Sequence, residues 1–359
     1  MFDERLMTQY AGHSHGRHDT TPVLELEGVP VAVNVDTSAT LWVCDLAAGE
    51  CTRRPLDLAS AGPDEAWYHE VGEWDEDWDE EEDGERPRWE ADEYEIASEL
   101  TVVHLDGRPL VVTGGGRFDL SGPELETMGG AVRLWDPHTG RQVGGTLTGH
   151  ELGVTGLAAL HCDAGPLLVS NSEEGRLIVR KPGTGEQVMT AEVSYNGDLG
   201  TGFLDGRPVA VTGGHDDFVQ VWDLLSGQQW GPSLTGAKPV PRAMAAVEAD
   251  GRRIVAAGGD EHVLQRWDLD TGEPLGEPLA GHTDRISTMG TARVAGRTLA
   301  VTGGNDGTSR VWDLAAGRQL GAPLPGHLQT VTEISGTPVA VTSSREDGLY
   351  VWDLGRAVG

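Results

Sequence analysis

The sequence predicts an all-β chain built from seven copies of one repeat. A Trp-Asp pair recurs at near-regular spacing, and pairs of short β-branched runs precede it. Asp-Gly between two such runs is the strongest short hairpin signal, and it stands at 106–107, 205–206 and 250–251. No long segment among these paired runs has the 3.6-residue period of an amphipathic helix.

The Trp-Asp positions fix the repeat. Complete pairs begin at Trp135, Trp222, Trp267, Trp312 and Trp352. Two degenerate copies, Cys44-Asp45 and Arg180-Lys181, are identified by their flanking residues. From position 135 onward the steps are 45, 42, 45, 45 and 40 residues, whereas the first step is 91 residues. The long first step predicts an insertion, in preference to an eighth, decayed repeat.

A second signature, Gly-His, precedes the Trp position at 12–13, 149–150, 281–282 and 326–327. Together the two signatures resemble those of the WD40-repeat β-propeller family, and they cover nearly all of the chain. The resemblance implies a single domain over 1–359 with seven blades of four strands each. Blades one and three, which have Cys44 and Arg180 in place of Trp, are expected to be the softer ones.

The ring is expected to close through the N-terminus. Only Gly355 to Gly359 follow the last motif, Trp352-Asp353-Leu354, which is too short for a fourth strand. Residues 3–10, followed by Gly12-His13, resemble the strand that precedes Gly326-His327. We therefore predict that residues 3–10 complete the last blade, because a closed ring leaves no exposed strand edges.

Composition limits the partners and the compartment. The chain has 359 residues and a formal net charge of −32. Nucleic acid and anionic membranes are excluded as partners, because phosphates are bound by Lys and Arg. No apolar run is long enough to span a membrane and no secretory signal is visible, so a cytoplasmic protein is expected. Only two of the 26 basic residues are Lys, which is typical of a GC-rich bacterial gene.

The three cysteines, Cys44, Cys51 and Cys162, make no disulfide framework. Cys44 and Cys51 flank a turn and could face each other across a hairpin. In a reducing cytoplasm, free thiols are the expected state.

Blade six carries a hydroxyl, an imidazole and a carboxylate that invite a catalytic interpretation. These are Thr302, His282 and Asp306, with Trp312 ending the third strand. Parts of the set recur, for example as His327, Thr342 and Trp352 in the last blade. A repeated set is what a fold needs, whereas a catalyst needs one site. The resemblance implies a structural hydrogen-bond network, and we predict no catalytic residue.

No cofactor or metal site is predicted. His13, His15 and His18 lie close together, but their spacing fits neither a helical pair nor a zinc pattern. The sequence has no C-x-x-C pair and no G-x-S-x-G motif. The glycine-rich run 112–116 precedes no helix that could bind phosphate.

The insertion at 58–95, between blades one and two, is acidic and rich in Trp. Its residues 64–95 contain 17 Asp and Glu against two Arg, together with the Trp residues Trp67, Trp74, Trp78 and Trp89. Three of these Trp residues fall on one face of a helix. Three interpretations stay open: a loop packed on its own domain, a docking segment for a basic or grooved partner, and a disordered linker.

A second, glycine-rich insertion at 115–130 separates two strands of blade two and contains Phe118. Blade topology places both insertions on the same face. That face also carries Asp284, Arg285 and Arg345, whereas the opposite face has only tight turns. Because loops longer than a fold requires often carry function, we predict the partner-binding site here.

The sequence therefore predicts a non-enzymatic protein-interaction scaffold that binds a protein partner through the face with the acidic insertion. A sharper version is an inhibitor or sequestering partner of a basic protein. The rival class is an enzyme or small-ligand binder that uses the central funnel of the ring. The oligomeric state is left open.

Overall fold

The structure, a computed structural model, describes residues 21–35, 40–46, 48, 50–56, 93–119, 126–194, 198–214, 218–236, 241–344 and 348–357. These residues form seven small antiparallel sheets, each in sequential strand order. The all-β, seven-bladed prediction is confirmed. The one helix in the described ranges is a single turn, α1 (Leu354–Ala357).

The first four blades each have four strands. Blade one comprises β1 (Val23–Leu26), β2 (Val29–Val35), β3 (Thr40–Asp45) and β4 (Cys51–Pro55). Blade two comprises β5 (Glu93–Leu105), β6 (Arg108–Asp119), β7 (Glu126–Trp135) and β8 (Leu147–His150). Blade three comprises β9 (Val154–Cys162), β10 (Gly165–Ser172), β11 (Arg176–Arg180) and β12 (Gln187–Glu192). Blade four comprises β13 (Asp198–Leu204), β14 (Arg207–Gly213), β15 (Phe218–Asp223) and β16 (Leu234–Thr235).

The fifth and sixth blades also have four strands each, whereas the last blade has three within the described ranges. Blade five comprises β17 (Pro241–Ala249), β18 (Arg252–Gly259), β19 (Val263–Asp268) and β20 (Leu279–Ala280). Blade six comprises β21 (Ile286–Val294), β22 (Arg297–Gly304), β23 (Thr308–Asp313) and β24 (Arg318–Pro325). Blade seven comprises β25 (His327–Ile334), β26 (Thr337–Ser344) and β27 (Gly348–Asp353). Residues 3–10, predicted as its fourth strand, lie outside the described residues.

The Asp of each Trp-Asp pair shapes the turn between the third and fourth strands. In blade two, Asp136 Oδ1 accepts hydrogen bonds from the backbone N–H groups of His138 and Thr139, at 2.8 and 3.0 Å. The turn then ends at Gly140, whose φ of +70° favours glycine. Asp223, Asp268 and Asp313 make equivalent bonds in later blades. The motif therefore recurs because every blade needs this turn.

The hydrophobic core lies between blades, and the Trp of each motif packs on the preceding blade. Trp312, 1% exposed, packs with Ala243 and Ile254 of blade five. Trp267 packs in the same way against Val211 of blade four. In the five blades that have this Trp, the ring joins neighbouring sheets into a continuous core.

Blade two is longer than the other blades. β5 has 13 residues, whereas the inner strands of blades three to seven have 7 to 9. The extra residues of β5 pair with β6, from Ala97↔Gly115 to Glu93↔Asp119. β7 pairs with the other edge of β6 and begins at Glu126, opposite Asp119. Strand structure therefore begins within the 58–95 segment and runs through most of 115–130. We call residues 93–97, 115–119 and 126–130 the blade-two extension.

Glycines at the base of this extension allow close packing against the end of β8 and the residues that lead into blade three. A Cβ on Gly130 would come within 2.6 Å of the carbonyl oxygen of Leu152. One on Gly129, whose φ is +114°, would come within 2.8 Å of the carbonyl oxygen of His150. The Gly-rich sequence predicts an insertion between two strands, but in the structure glycine lets another backbone approach the sheet.

The expectation of free thiols at Cys44 and Cys51 is wrong, because the structure joins them in a disulfide. The two residues are directly opposite in the β3–β4 register. A short turn between adjacent strands brings their side chains together, whatever the compartment. Cys162 is free and half-buried.

Candidate functional site

The polar residues singled out in blade six form a continuous hydrogen-bonded chain. Thr302 Oγ1 accepts from Trp312 Nε1 at 2.8 Å and contacts His282 Nε2 at 2.8 Å. His282 Nδ1 lies 3.0 Å from Asp306 Oδ2. Asp306 also accepts from the backbone of Thr283 and from both polar groups of Thr308. The chain ties the loop before β21 to strands β22 and β23.

The pKa values in blade six follow from burial and hydrogen bonding. Burial lowers the pKa of His282 below its ordinary value, and attraction to Asp306 offsets only part of this. Burial alone would raise the pKa of Asp306, but the hydrogen bonds from Thr283 and Thr308 outweigh it and hold that pKa at about 2. The pair therefore combines a largely neutral imidazole with an ionised carboxylate near pH 7.

Blade three carries a variant of the same chain. His150 Nε2 lies 2.7 Å from Ser170 Oγ, and its Nδ1 lies 3.4 Å from Glu174 Oε1. Glu174 accepts from the backbone N–H groups of Glu151 and Leu152, as Asp306 does from Thr283. Burial lowers the pKa of His150 to about 4, and Glu174 opposes this shift. The Gly-His signature marks His150 in the sequence, but no pattern marks Glu174.

The remaining blades keep only parts of this hydrogen-bonded chain of side chains. Indole–threonine bonds recur at Trp135–Thr113, Trp222–Thr212 and Trp352–Thr342, at 2.9, 3.1 and 2.9 Å. In blade five, where Ala257 replaces Thr, Trp267 donates instead to the backbone carbonyl of Thr235. In blade three, Arg180 takes the Trp position and donates to the carbonyl of Thr148.

His327 departs from the pattern of blade six. It was grouped with Thr342 and Trp352 in the last blade. Its Nε2 instead lies 2.7 Å from Ser287 Oγ of blade six, while Thr342 donates to the carbonyl of Pro325. His327 is the first residue of β25, whereas His282 precedes β21, so the two rings occupy different positions.

The hydroxyls of these chains are placed for structure and not for nucleophilic attack. Thr302 is 0% exposed and Ser170 is 3% exposed, both within the second strand of their blades. Neither lines the central channel described below. A nucleophile must meet its substrate, and these hydroxyls are covered by neighbouring strands.

A central channel with a cavity of about 410 Å³ runs between the inner strands. At its mouth, a β-bulge inserts one extra residue into the inner strand of five blades. The inserted residues are Ser98, Thr155, Arg242, Ser287 and Gln329. All but Ser98 line the channel.

The bulge residues link neighbouring blades. Ser98 donates to the carbonyl of Val154 in blade three, at 3.1 Å. Arg242 pairs with Asp198 of blade four at 3.4 Å, and Ser287 meets His327 of blade seven. We call this set, which also includes the Gln329–Thr21 bond at 2.8 Å, the bulge belt. Its polar groups hold blades together. Sequence patterns do not reveal the bulge belt, because each bulge adds only one residue.

The predicted partner-binding residues are only partly described. Asp284 and Arg285 lie between β20 and β21, and Arg285 Nε forms an ion pair with Asp260 at 2.8 Å. Phe118 lies in β6. The other predicted residues lie outside the described ranges: Trp67, Trp74, Trp78, Trp89 and Arg345.

The opposite face carries more than tight turns. Phe203 and Leu225, at two turns of blade four, are 39% and 40% exposed. Nearby, Arg207 and Arg253 lie 5.7 and 5.8 Å from the ring centre of Trp230. The contact of Arg253 with Trp230 joins blades four and five, whereas the Arg207 contact lies within blade four. Sequence reasoning missed them because they depend on turns from two different blades.

Comparison with known proteins agrees with the geometry. Residues 272–313, which end on the Trp312-Asp313 pair, match the family model described as "WD domain, G-beta repeat". The chain is a seven-bladed β-propeller with a WD40 repeat at residues 272–313. No curated protein matches this WD40 propeller by sequence. Within its described residues, no helix is long and apolar enough to cross a membrane.

Solved structures show the fold of this WD40 propeller but not its activity. The crystal structure of the computationally designed Ika8 protein is 21% identical, with a TM-score of 0.58. The match covers 98% of this chain and 88% of that chain. At this identity the likeness concerns the fold alone. WD40 propellers are typically protein-interaction scaffolds, and unrelated functions can share one fold.

Proposed function

We propose that this WD40 propeller is a non-enzymatic scaffold that binds a protein partner through the face carrying the acidic insertion. The blade-two extension is the observation that carries the proposal. It departs from the regular blade, adding paired strand residues on one side of the ring. Extra structure that the ring does not need for closure is best explained by binding.

The described residues that flank the acidic insertion lie at the same edge of the ring as the blade-two extension. Pro55, at the end of β4, is opposite Thr40, the first residue of β3. Glu93, the first residue of β5, is opposite Asp119, which also pairs with Glu126 of β7. The position of these flanking residues supports a partner site on this face.

Charge favours a basic partner. Residues 64–95 contribute 17 acidic and two basic residues to a chain whose net charge is −32. A field of this sign attracts cationic surfaces and raises their association rate. The segment also has Trp residues at 67, 74, 78 and 89. Such residues are the apolar anchors that a specific interface needs in addition to electrostatic attraction.

Affinity capture from the source organism, with the full chain and with a chain lacking residues 64–95, tests the proposal. The partner should be retained by the full chain and lost by the deletion. The double variant Trp74→Ala and Trp78→Ala should weaken binding by a few kcal/mol, on the order of what buried aromatic anchors contribute. Replacing Glu80, Glu81 and Glu82 by Gln should slow association and flatten its salt dependence.

Melting temperature, measured on the same variants, separates docking from self-packing. If the Trp change lowers the melting temperature and leaves partner affinity intact, the segment packs on its own domain. A hydrolytic activity that Thr302→Ala abolishes without lowering the melting temperature would favour an enzyme instead.

A further inference from the structure

The disulfide of blade one occupies a position that other blades fill with tryptophan. Cys44 is paired with Ala32 on the second strand, as Trp222 is with Ala210 and Trp312 with Ala300. The register is therefore the same in all three blades. Cys44 stands where the indole would stand.

The other half of the disulfide also has a counterpart in each of these blades. The residue across from the Trp position is Gln229 in blade four, in an isolated bridge before β16, and Gln319 of β24 in blade six. In blade one it is Cys51. A covalent Cys44–Cys51 bond thus replaces a Trp–Gln pair.

Blade one has neither the Trp nor the Thr that form the indole–threonine bond in blade six. The position of Thr302 is held by Asn34, whose side-chain oxygen accepts from the backbone N–H of Val35. In blade six the indole ties the third strand to the second. In blade one the disulfide ties the third strand to the fourth instead.

This position lies at the seam where the ring closes. As each Trp packs on the preceding blade, Cys44 packs on blade seven, in one cluster with Val339, Val341 and Leu349. Cys44 is 1% exposed. Within the described residues, this cluster and the Thr21–Gln329 bond connect blade seven to blade one.

We propose that the Cys44–Cys51 disulfide is a redox-controlled clamp on ring closure. A dithiol reductant would attack Sγ of the more accessible Cys51, breaking the S–S bond and releasing the Cys44 thiolate, which takes a proton. Resolution by the second thiol of the reductant frees Cys51. Two electrons and two protons pass to the protein, and the reductant leaves as its cyclic disulfide.

Reduction leaves two unlinked thiols at a seam, whereas five of the other six interfaces have a Trp ring at this position. β3 and β4 then separate more easily. The side chain of Cys44 is no longer held in place against the cluster that it shares with blade seven. The effect should therefore appear in blade seven, about 290 to 300 residues away in sequence from the broken bond. A disulfide that only stapled its own hairpin would affect residues 40–55 alone.

Hydrogen exchange read by mass spectrometry distinguishes these cases. The protein is the full chain with Cys162→Ser, which removes the third thiol, with and without dithiothreitol. Reduction should raise the exchange rates of β26 and β27 amides by about tenfold or more, because sub-global openings report on local stability. Blade-four amides, on the far side of the ring, serve as the internal reference.

Two variants complete the test. Cys51→Ser should show raised blade-seven exchange at the start and no response to dithiothreitol. The triple change Asn34→Thr, Cys44→Trp and Cys51→Gln restores the residues used in blade six and should be protected and insensitive. Exchange that changes only in residues 40–55, or not at all, would overturn the proposal, as would two free thiols in the oxidised protein.

Discussion

Thr21 and Gln329 are 308 residues apart in sequence and are joined by a buried hydrogen bond of 2.8 Å. Gln329 also donates to Ser343 Oγ within blade seven, so its amide connects both sides of the seam. Thr21 itself is 2% exposed. The first and last blades are thus held together at the channel mouth by the same bulge belt that links other neighbours.

The seam bond predicts a stability effect. Thr21→Val keeps the shape of the side chain but leaves the amide oxygen of Gln329 without this donor. The change should lower the free energy of unfolding by about 1–3 kcal/mol, the usual cost of a buried group deprived of its partner. Urea denaturation measures it. Thr146→Val, at a partly exposed hydroxyl in blade two, is the matched control and should change stability far less.

N-terminal closure is tested by deletion. If residues 3–10 complete blade seven, removing residues 1–11 should lower the melting temperature by many degrees, because an open edge and an incomplete core result. Differential scanning calorimetry gives the answer. A melting curve that does not move would refute the closing strand.

Thr302→Val tests the structural role of the blade-six chain. The hydroxyl is hydrogen-bonded to both Trp312 Nε1 and His282 Nε2, so its loss removes a hydrogen bond from each of these two buried groups. We expect a loss of about 2–4 kcal/mol in the free energy of unfolding, more than for a single bond. Thr212→Val in blade four, whose indole is half-buried, should cost less. Equal losses at the two sites would contradict the role given to His282.

Acid should destabilise the propeller through His150. The unfolded imidazole has its ordinary pKa of 6.5, whereas burial holds the folded value at about 4. The unfolded chain therefore takes up a proton that the folded chain does not, and stability falls as pH drops from 6.5 toward 4. The integrated loss is about 3 kcal/mol. Asp306, whose folded pKa is about 2, loses its contribution only below its ordinary value of 3.8.

Replacing the imidazole isolates this effect. His150→Asn is expected to be less stable than the parent at pH 7, since the bond to Ser170 is altered. Its stability should nevertheless fall less steeply between pH 6.5 and pH 4. Urea midpoints at three pH values provide the comparison, and parallel slopes for the two proteins would rule out His150 as the titrating group.

The base of the blade-two extension should not tolerate a methyl group. Gly130→Ala brings a Cβ within 2.6 Å of the Leu152 carbonyl, so backbone must shift. Overpacking of this kind costs about 1–3 kcal/mol. Gly145→Ala, where a Cβ meets nothing within 4 Å, is the control and should be close to neutral. Thermal melts of both variants suffice, and a neutral Gly130→Ala would show that the extension is loosely attached.

The fold could be predicted from the sequence because each repeat needs the same turn and the same buried ring. Asp136 and Gly140 shape a turn whose residues recur in later blades, so the period is visible without coordinates. Features that occur once leave no period. The Cys44–Cys51 bond was missed because the compartment argument outweighed the hairpin register, and Glu174 because it replaces Asp with a longer side chain.

The candidate site was harder to predict for a related reason. Arg242 and Gln329 belong to the bulge belt, yet a one-residue bulge does not alter the alternation that reveals a strand. Trp230 meets Arg207 and Arg253 from two blades, a contact set by ring geometry. Residues 57–92 and 345–347 of the predicted surface lie outside the described ranges, so their role stays a prediction.

The extension of blade two has a consequence for stoichiometry. Seven similar blades would present seven equivalent docking directions around the axis. The lengthened strands β5, β6 and β7 make the direction of blade two different from the other six. A partner that engages this feature is held at a single azimuth, and each ring accepts one copy of it.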